Sequence, residues 1–299
     1  MVVLNFARTT QPNALTMPFR SSIMVNMNRL STAERARVVA SLVEGNSIRA
    51  TVRMTGVAKN TIVKLLSELG PVVSAYQDKT FRNLTCKRVQ CDEIWSYCYA
   101  KNKNITPEIK EKNPSAGDIW TWTAIDADTK LMLSWLVASR DLESAKTFMQ
   151  DVASRVANRV QLTTDAYRPY LTAVDNAFGT EIDYSQLHKI YSSESTGRYS
   201  PAVCIGCKKL EVSGDPDPKH VSTSYVERAN LTIRMSIRRF TRLTNAFSKK
   251  IENHAAMVSL YFMYYNFGRV HQTLRVTPAM EAGIADHVWS IEEIVGLLN

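Results

Sequence analysis

The sequence predicts a mixed α/β protein in which an N-terminal helix-turn-helix precedes a mixed sheet built in the order β-β-β-α-β. Three observations carry this. Apolar residues recur at helical spacing from Ser31 to Leu69, with a glycine where such a motif turns. Strict alternation replaces that period at Lys87. From Leu142 onward, helical stripes and short β-branched runs follow one another.

Ala33, Ala36, Val38, Val39, Leu42 and Val43 form the first stripe, which Glu44-Gly45-Asn46 ends. Ser47 is placed to cap a short second helix, Thr55-Gly56-Val57 turns the chain, and 59–69 forms a third helix that Gly70 closes. Gly56 supplies a left-handed backbone, and Ile62, six residues on, an apolar anchor against the helix before it. The open face of the third helix carries Lys59, Asn60, Thr61 and Lys64, types that hydrogen-bond phosphates and base edges. A plain three-helix bundle with a solvated basic face is the competing reading.

Residues 71–85 read as a linker. Over 87–99, Val89, Cys91, Trp95, Tyr97 and Tyr99 share one strand face, and Gln90, Asp92, Ile94, Ser96 and Cys98 the other. Residues 119–125 and 131–138 are two further strands, joined by the turn-rich Asp126-Ala127-Asp128-Thr129-Lys130. Leu142, Ala145, Phe148, Met149, Val152 and Val156 then repeat at helical spacing, and 159–164 is a buried strand. A helix over 167–178 and a fifth strand over 184–191 follow, and 192–221 reads as an irregular insertion. The division expected is a disordered extension over 1–26, a helix-turn-helix domain over 27–70, a linker over 71–85, a catalytic domain over 86–285 and a terminal helix over 286–299. Met24 and Met27 are alternative starts.

With 299 residues, 45% of them hydrophobic, the chain can bury a full core. Its net charge of +9 favours a polyanionic partner. Five cysteines make a poor disulfide framework and suit a reducing compartment, so the cytoplasm is expected. No apolar run reaches the roughly 18 residues of a membrane helix; the richest, 255–267, reads as a buried helix.

Three carboxylates stand out. Asp92 lies mid-strand, where a buried, unpaired charge is costly. Asp165 ends the fourth strand, which pairs beside a central first strand, so the two can approach within ligand reach. Glu227 sits on a helix whose stripes separate: Val226, Ala229, Ile233, Ile237 and Phe240 on one side, Glu227, Asn230, Arg234 and Arg238 on the other. Oxygen donors of this kind suit Mg²⁺ or Mn²⁺. Two such ions about 3.5 to 4 Å apart can activate the attacking oxygen and stabilise the leaving one in phosphodiester chemistry. Arg234, Arg238 and Arg239 would grip a DNA backbone nearby. Strand alternation sets Glu93 aside, and hairpin position does the same for Asp126 and Asp128.

At this point the chain resembles a known family. Gly45-Asn46-Ser47-Ile48-Arg49-Ala50-Thr51, Asp92-Glu93-Ile94-Trp95, Trp120-Thr121-Trp122, Ile125-Asp126-Ala127-Asp128-Thr129, Leu162-Thr163-Thr164-Asp165 and Ser222-Thr223-Ser224-Tyr225-Val226-Glu227-Arg228 are similar to bacterial transposases of the insertion sequence one family. The resemblance implies a ribonuclease H-like catalytic domain of retroviral integrase type, with Asp92, Asp165 and Glu227 as the catalytic, metal-binding DDE triad. It implies two Mg²⁺ (or Mn²⁺) ions, cleavage at inverted-repeat ends, joining to target DNA, and a homo-oligomer on double-stranded DNA near the nucleoid. The segment 265–274, with Thr277-Pro278, is similar to one that follows the triad in many integrase-like transposases, and it makes Arg269 and His271 secondary DNA-contact candidates beside His220.

Some members of that family begin with a zinc-binding cysteine cluster, whereas this chain has no cysteine before Cys86. Cys204 and Cys207 are half a zinc site, so structural zinc is not expected. The competing functions are a ribonuclease H-like nuclease that cuts without joining, and an inactive repressor derived from a transposase.

Overall fold

The computed structural model describes residues 29–192, 203–241 and 244–299, and the extension expected over 1–26 lies outside them. The chain opens with helices α1 (Thr32–Val43), α2 (Ile48–Thr55) and α3 (Lys59–Thr80). Ser31 and Glu34 form a reciprocal capping box on α1, and Ser47 caps α2 through Ala50 N. Gly56 adopts φ +73 after α2, and Ile62 is fully buried, as the turn reading requires.

The sheet comprises β1 (Arg88–Cys98), β2 (Gly117–Asp126), β3 (Met132–Ala138), β4 (Val160–Asp165), β5 (Ile182–Tyr191) and β6 (Cys204–Ser213). Helix α4 (Pro107–Lys112) lies between β1 and β2, α5 (Leu142–Ala153) between β3 and β4, and α6 (Pro169–Phe178) between β4 and β5. After β6 come α7 (Ser224–Ser236), α8 (Ile251–Met263) with a wide turn over Tyr264–Gly268, α9 (Pro278–Glu281) and α10 (Ile291–Gly296).

The strand order is β3-β2-β1-β4-β5-β6. β1, β2 and β3 are antiparallel neighbours, β4 and β5 run parallel to β1, and β6 returns antiparallel to β5. This six-stranded mixed sheet with its helices is a mixed α/β fold, compatible with a ribonuclease H-like arrangement.

Four expectations change. The third helix does not stop at Gly70 but runs through Pro71 to Thr80, so a helix occupies much of the stretch read as a linker. Its glycine serves close packing instead: a Cβ there would lie 2.4 Å from the Cβ of Ala256 on α8. The segment read as irregular contains β6, whose side chains are exposed along nearly its whole length. An edge strand open on both faces shows no apolar alternation. The helix of Glu227 ends at Ser236, and Ile237 is extended, so Arg238 and Arg239 lie in a separate tight turn. Finally, only Ile291–Gly296 of the expected terminal helix is helical.

Side-chain amides tie the turn after α8 to the sheet and α3 to α8. Asn266 receives Met132 N and donates to Met132 O, both at 3.0 Å, standing in for a missing neighbour strand of β3. Gln77 on α3 donates to Ser259 O on α8. No helix among the described residues is long and apolar enough to cross a membrane.

Candidate functional site

β1 and β4 pair only from Arg88–Gln90 to Gln161–Thr163, beyond which the two parallel strands part while β1 stays paired with β2 and β4 with β5. Asp92 and Asp165 each lie two residues past the last rung, so both carboxylates stand in the fork at the carboxyl ends of parallel strands. Open α/β sheets bind ligands in such a crevice.

Glu93 joins them. One carboxylate oxygen from each of Asp92, Glu93 and Asp165 lies within 4.8 Å of the others, a cluster that can hold a metal ion. Alternation thus does not keep Glu93 apart from the two aspartates: Asp165 sits at a strand end, where it can be approached from either face of β1. Arg140, just after β3, bridges the pair, with Nη2 3.5 Å from Glu93 Oε2 and 3.7 Å from Asp165 Oδ2. Its guanidinium lies against the Tyr167 ring, 3.9 Å from the centroid, and 4.9 Å from that of Trp120. Nothing in the spacing of the sequence pointed to Arg140.

Burial and the neighbouring charges of Asp165 and Glu227 push the Asp92 carboxyl up to about 6. Burial, Asp165 and Asp92 push Glu93 up to about 8 against the opposing pull of Arg140. Both protons are held more tightly in the folded chain than in the unfolded one, where they leave near pH 4. Metal-free stability is accordingly expected to fall as pH rises from about 4 and to level off above about 8, with a slope of about 1.4 kcal/mol per pH unit for each proton being lost. Thermal unfolding with chelator from pH 5 to 9 checks this. Glu93→Gln should flatten the upper part of the curve, and an unchanged curve would remove Glu93 as its source.

Helix α7 crosses the fork. Two amides of its first turn, at Tyr225 and Val226, donate to Oε1 of Gln90 on β1, which seats the helix two residues from Asp92. Asn230, expected to face DNA, is buried; its Nδ2 donates to Asp92 Oδ2 at 2.9 Å, and its Oδ1 receives Thr123 Oγ1. Glu227 lies in the first turn of α7 and is held by Lys189 of β5 and by Thr223 Oγ1. Burial alone would lower the Lys189 pKa, but its bond and charge pairing with Glu227 raise it overall. The charge of Glu227 reaches Asp92, yet its carboxylate is not one of the three clustered acids.

The remaining candidates scatter. Lys59, Asn60 and Lys64 are exposed on α3, and Thr61 is half-buried; Lys64 pairs with Glu68 at 3.8 Å. Arg234 is half-buried on α7 and Arg238 exposed beyond it. Arg239 is half-buried and donates to Ser248 Oγ at 3.0 Å. His220 does not share the helix of Glu227: it ends a tight turn before α7, and its Nδ1 accepts from Arg88 at 2.6 Å. Arg269 donates to Ser236 Oγ at 3.4 Å, while His271 brackets a loop through backbone bonds with Arg275 and Val276.

No family model matches the chain, and no curated protein sequence does. Among solved structures, a cryo-EM structure of a piggyBac transposase synaptic complex with hairpin DNA is similar at a TM-score of 0.40 and 11% identity, over 89% of this chain and 69% of that one.

Proposed function

We propose that this chain is a DDE-type DNA transposase: it cuts DNA at the ends of an insertion sequence and joins the freed 3′-hydroxyl to target DNA. The observation that carries the reading is the convergence of Asp92 and Asp165 where β1 and β4 part, to which the charge of Glu227 on α7 reaches. The donor set fits a hard divalent cation. It consists of carboxylate oxygens, burial and the neighbouring charges of Asp165 and Glu227 raise Asp92, and the adjoining buried Glu93 Oε1 has no hydrogen-bond partner among the described residues.

Asp92, Asp165 and Glu227 are the residues we assign to Mg²⁺ or Mn²⁺. When bound, a pair of such ions supplies activation of the attacking oxygen and stabilisation of the leaving one. Asn230 orients Asp92, and Lys189 and Thr223 hold Glu227 in place. Glu93, whose carboxyl burial and Asp165 push up to about 8 in the absence of metal, is the competing third ligand. Arg140 is placed to balance charge beside Asp165 and to meet a phosphate oxygen.

End recognition is assigned to α2, α3 and the turn between them, read as a helix-turn-helix with Lys59, Asn60, Thr61 and Lys64 facing double-stranded DNA. We further propose a homo-oligomer on DNA, acting in the cytoplasm. Lys64→Ala is expected to weaken binding to a duplex and to reduce the slope of log K against log salt by about one. Titrations at several salt concentrations check this, and an unchanged slope removes Lys64 from the phosphate contacts.

The whole reading is tested by incubating the purified chain with linear DNA carrying candidate element ends and Mg²⁺, then seeking cut and joined products on a gel. Cutting without joining favours the nuclease alternative, and binding without cutting favours the repressor.

A further inference from the structure

Away from the carboxylates, a cleft of about 710 Å³ opens between the N-terminal helices and the segment that follows α7. Among the described residues six cations line it, namely Arg49, Lys59, Arg238, Arg239, Lys249 and Lys250, and no carboxylate does. Leu42, Val63, Phe247 and Met257 give it an apolar floor, and Asn46, Asn60, Asn245 and Asn253 offer side-chain amides.

We infer that this cleft binds an unpaired nucleotide within a nucleic-acid strand, with its base on the apolar floor and its flanking phosphates on the basic rim. The inference rests on the nucleic-acid reading above and gives Lys59 and Asn60, assigned there to a duplex, an unpaired nucleotide adjoining that duplex as a further ligand. The size argues for it: roughly 300 to 1,000 Å³ suits a compact ligand such as a nucleotide unit and cannot admit a duplex. The chemistry agrees. A bare phosphate needs no apolar floor, whereas a base uses both a floor to stack on and amides along its edge.

The surroundings extend the same pattern. Phe247 packs on Tyr97 with centroids 4.8 Å apart, and Tyr97 lies 5.8 Å from Trp95. Lys249 sits over Phe247, and Lys101 over both Trp95 and Tyr97. Trp95 and Tyr97 of β1 together with Phe247, with Lys101 and Lys249 set over them, offer the stacking faces and charge that a single strand uses. At the rim, Ala58 gives α3 no side-chain cap, so the first amides of a 22-residue helix are open to a phosphate.

Arg239 is held in place rather than mobile: Ser248 accepts from it and bonds His254 Nδ1 at 3.0 Å, and His254 reaches Ser96 of β1. Burial pulls Arg239 down to about 10, and it forms no ion pair among the described residues. An incoming phosphate would supply the missing counter-charge.

Fluorescence anisotropy on the full chain in chelator tests this with three labelled oligonucleotides of one sequence: a single strand, a blunt duplex, and a duplex with a one-nucleotide bulge. The single strand and the bulged duplex are expected to bind at least about tenfold more tightly than the blunt duplex. Asn253→Trp, which fills the cleft, should erase that preference while leaving blunt-duplex binding within about twofold. Lys249→Glu with Lys250→Glu should weaken the single strand by more than about tenfold, with thermal unfolding confirming that each variant folds. Equal affinity for all three oligonucleotides overturns the inference, as does a preference that survives Asn253→Trp. Competition by inorganic phosphate as effective as that by a free nucleoside monophosphate overturns it too, since the cleft would then be an anion pocket alone. A chain that prefers unpaired nucleotides yet cuts nothing with Mg²⁺ overturns only the transposase reading; one that cuts and joins without the preference overturns only this inference.

Discussion

Asp92→Asn and Asp165→Asn are each expected to lower metal-dependent strand cleavage by about a thousandfold or more, several kcal/mol of lost transition-state stabilisation, while leaving duplex binding within a fewfold. Asn keeps the size of Asp and removes the charge, so folding should survive. The Asp92 variant should even gain stability without metal above pH 6, because it removes a carboxyl that the fold pushes up to about 6.

Glu227→Gln and Glu93→Gln then decide the third ligand. Loss of cleavage in Glu227→Gln with activity retained in Glu93→Gln supports the proposed triad. The reverse result would transfer the role to Glu93, the acid that already clusters with the two aspartates. Cleavage assays in Mg²⁺ and Mn²⁺, with duplex binding measured in parallel, separate these outcomes. Undiminished cleavage in Asp92→Asn or Asp165→Asn would sink the metal-site reading itself.

Gly70→Ala is expected to destabilise the fold by about 3 kcal/mol, lowering the unfolding temperature by roughly 6 to 12 °C. In an ordinary helix interior the same change stabilises by up to about 1 kcal/mol, so the sign is diagnostic. The new Cβ would lie 2.4 Å from Ala256 Cβ and 2.5 Å from Ala256 Cα, and a helix backbone cannot yield as a flexible side chain can. Ala256→Gly should rescue the variant only in part, since the Cα overlap remains. Thermal unfolding of both single variants and the double variant checks this; a stabilised Gly70→Ala would mean that α3 and α8 do not pack so closely.

The sequence made the frame legible where local rules and burial agree. Gly56 takes the left-handed conformation its place in the turn demands, and the first three strands form in the antiparallel order their apolar runs and turn residues imply, although β2 and β3 are buried on both faces for much of their length. Asp92 and Asp165 could be brought together because a parallel fourth strand beside the first aligns their carboxyl ends.

What escaped lies where one-dimensional rules fail. Alternation separates Asp92 from Glu93 on an ideal strand but says nothing of a third acid at a neighbouring strand end. Polar spacing on α7 grouped Asn230 with the arginines, yet spacing cannot tell which polar residues a β-strand will cover. Gly70-Pro71 reads as punctuation because the helix that needs the glycine comes more than 180 residues later. Arg140, Lys189 and the basic cleft are assembled from loops and strands distant in sequence, so no window of residues displays them.

The unbroken course of α3 has a geometric consequence. Its 22 residues span about 33 Å, close to one helical repeat of B-form DNA. If its basic end meets DNA as proposed, α3 would act as a ruler rather than a tether, because its packing on α8 fixes where that end stands by rise per residue. Inserting one residue in its middle would rotate the basic end by about 100° relative to the carboxylates. Inserting a full turn would nearly restore the phase while displacing the register by about 5.4 Å.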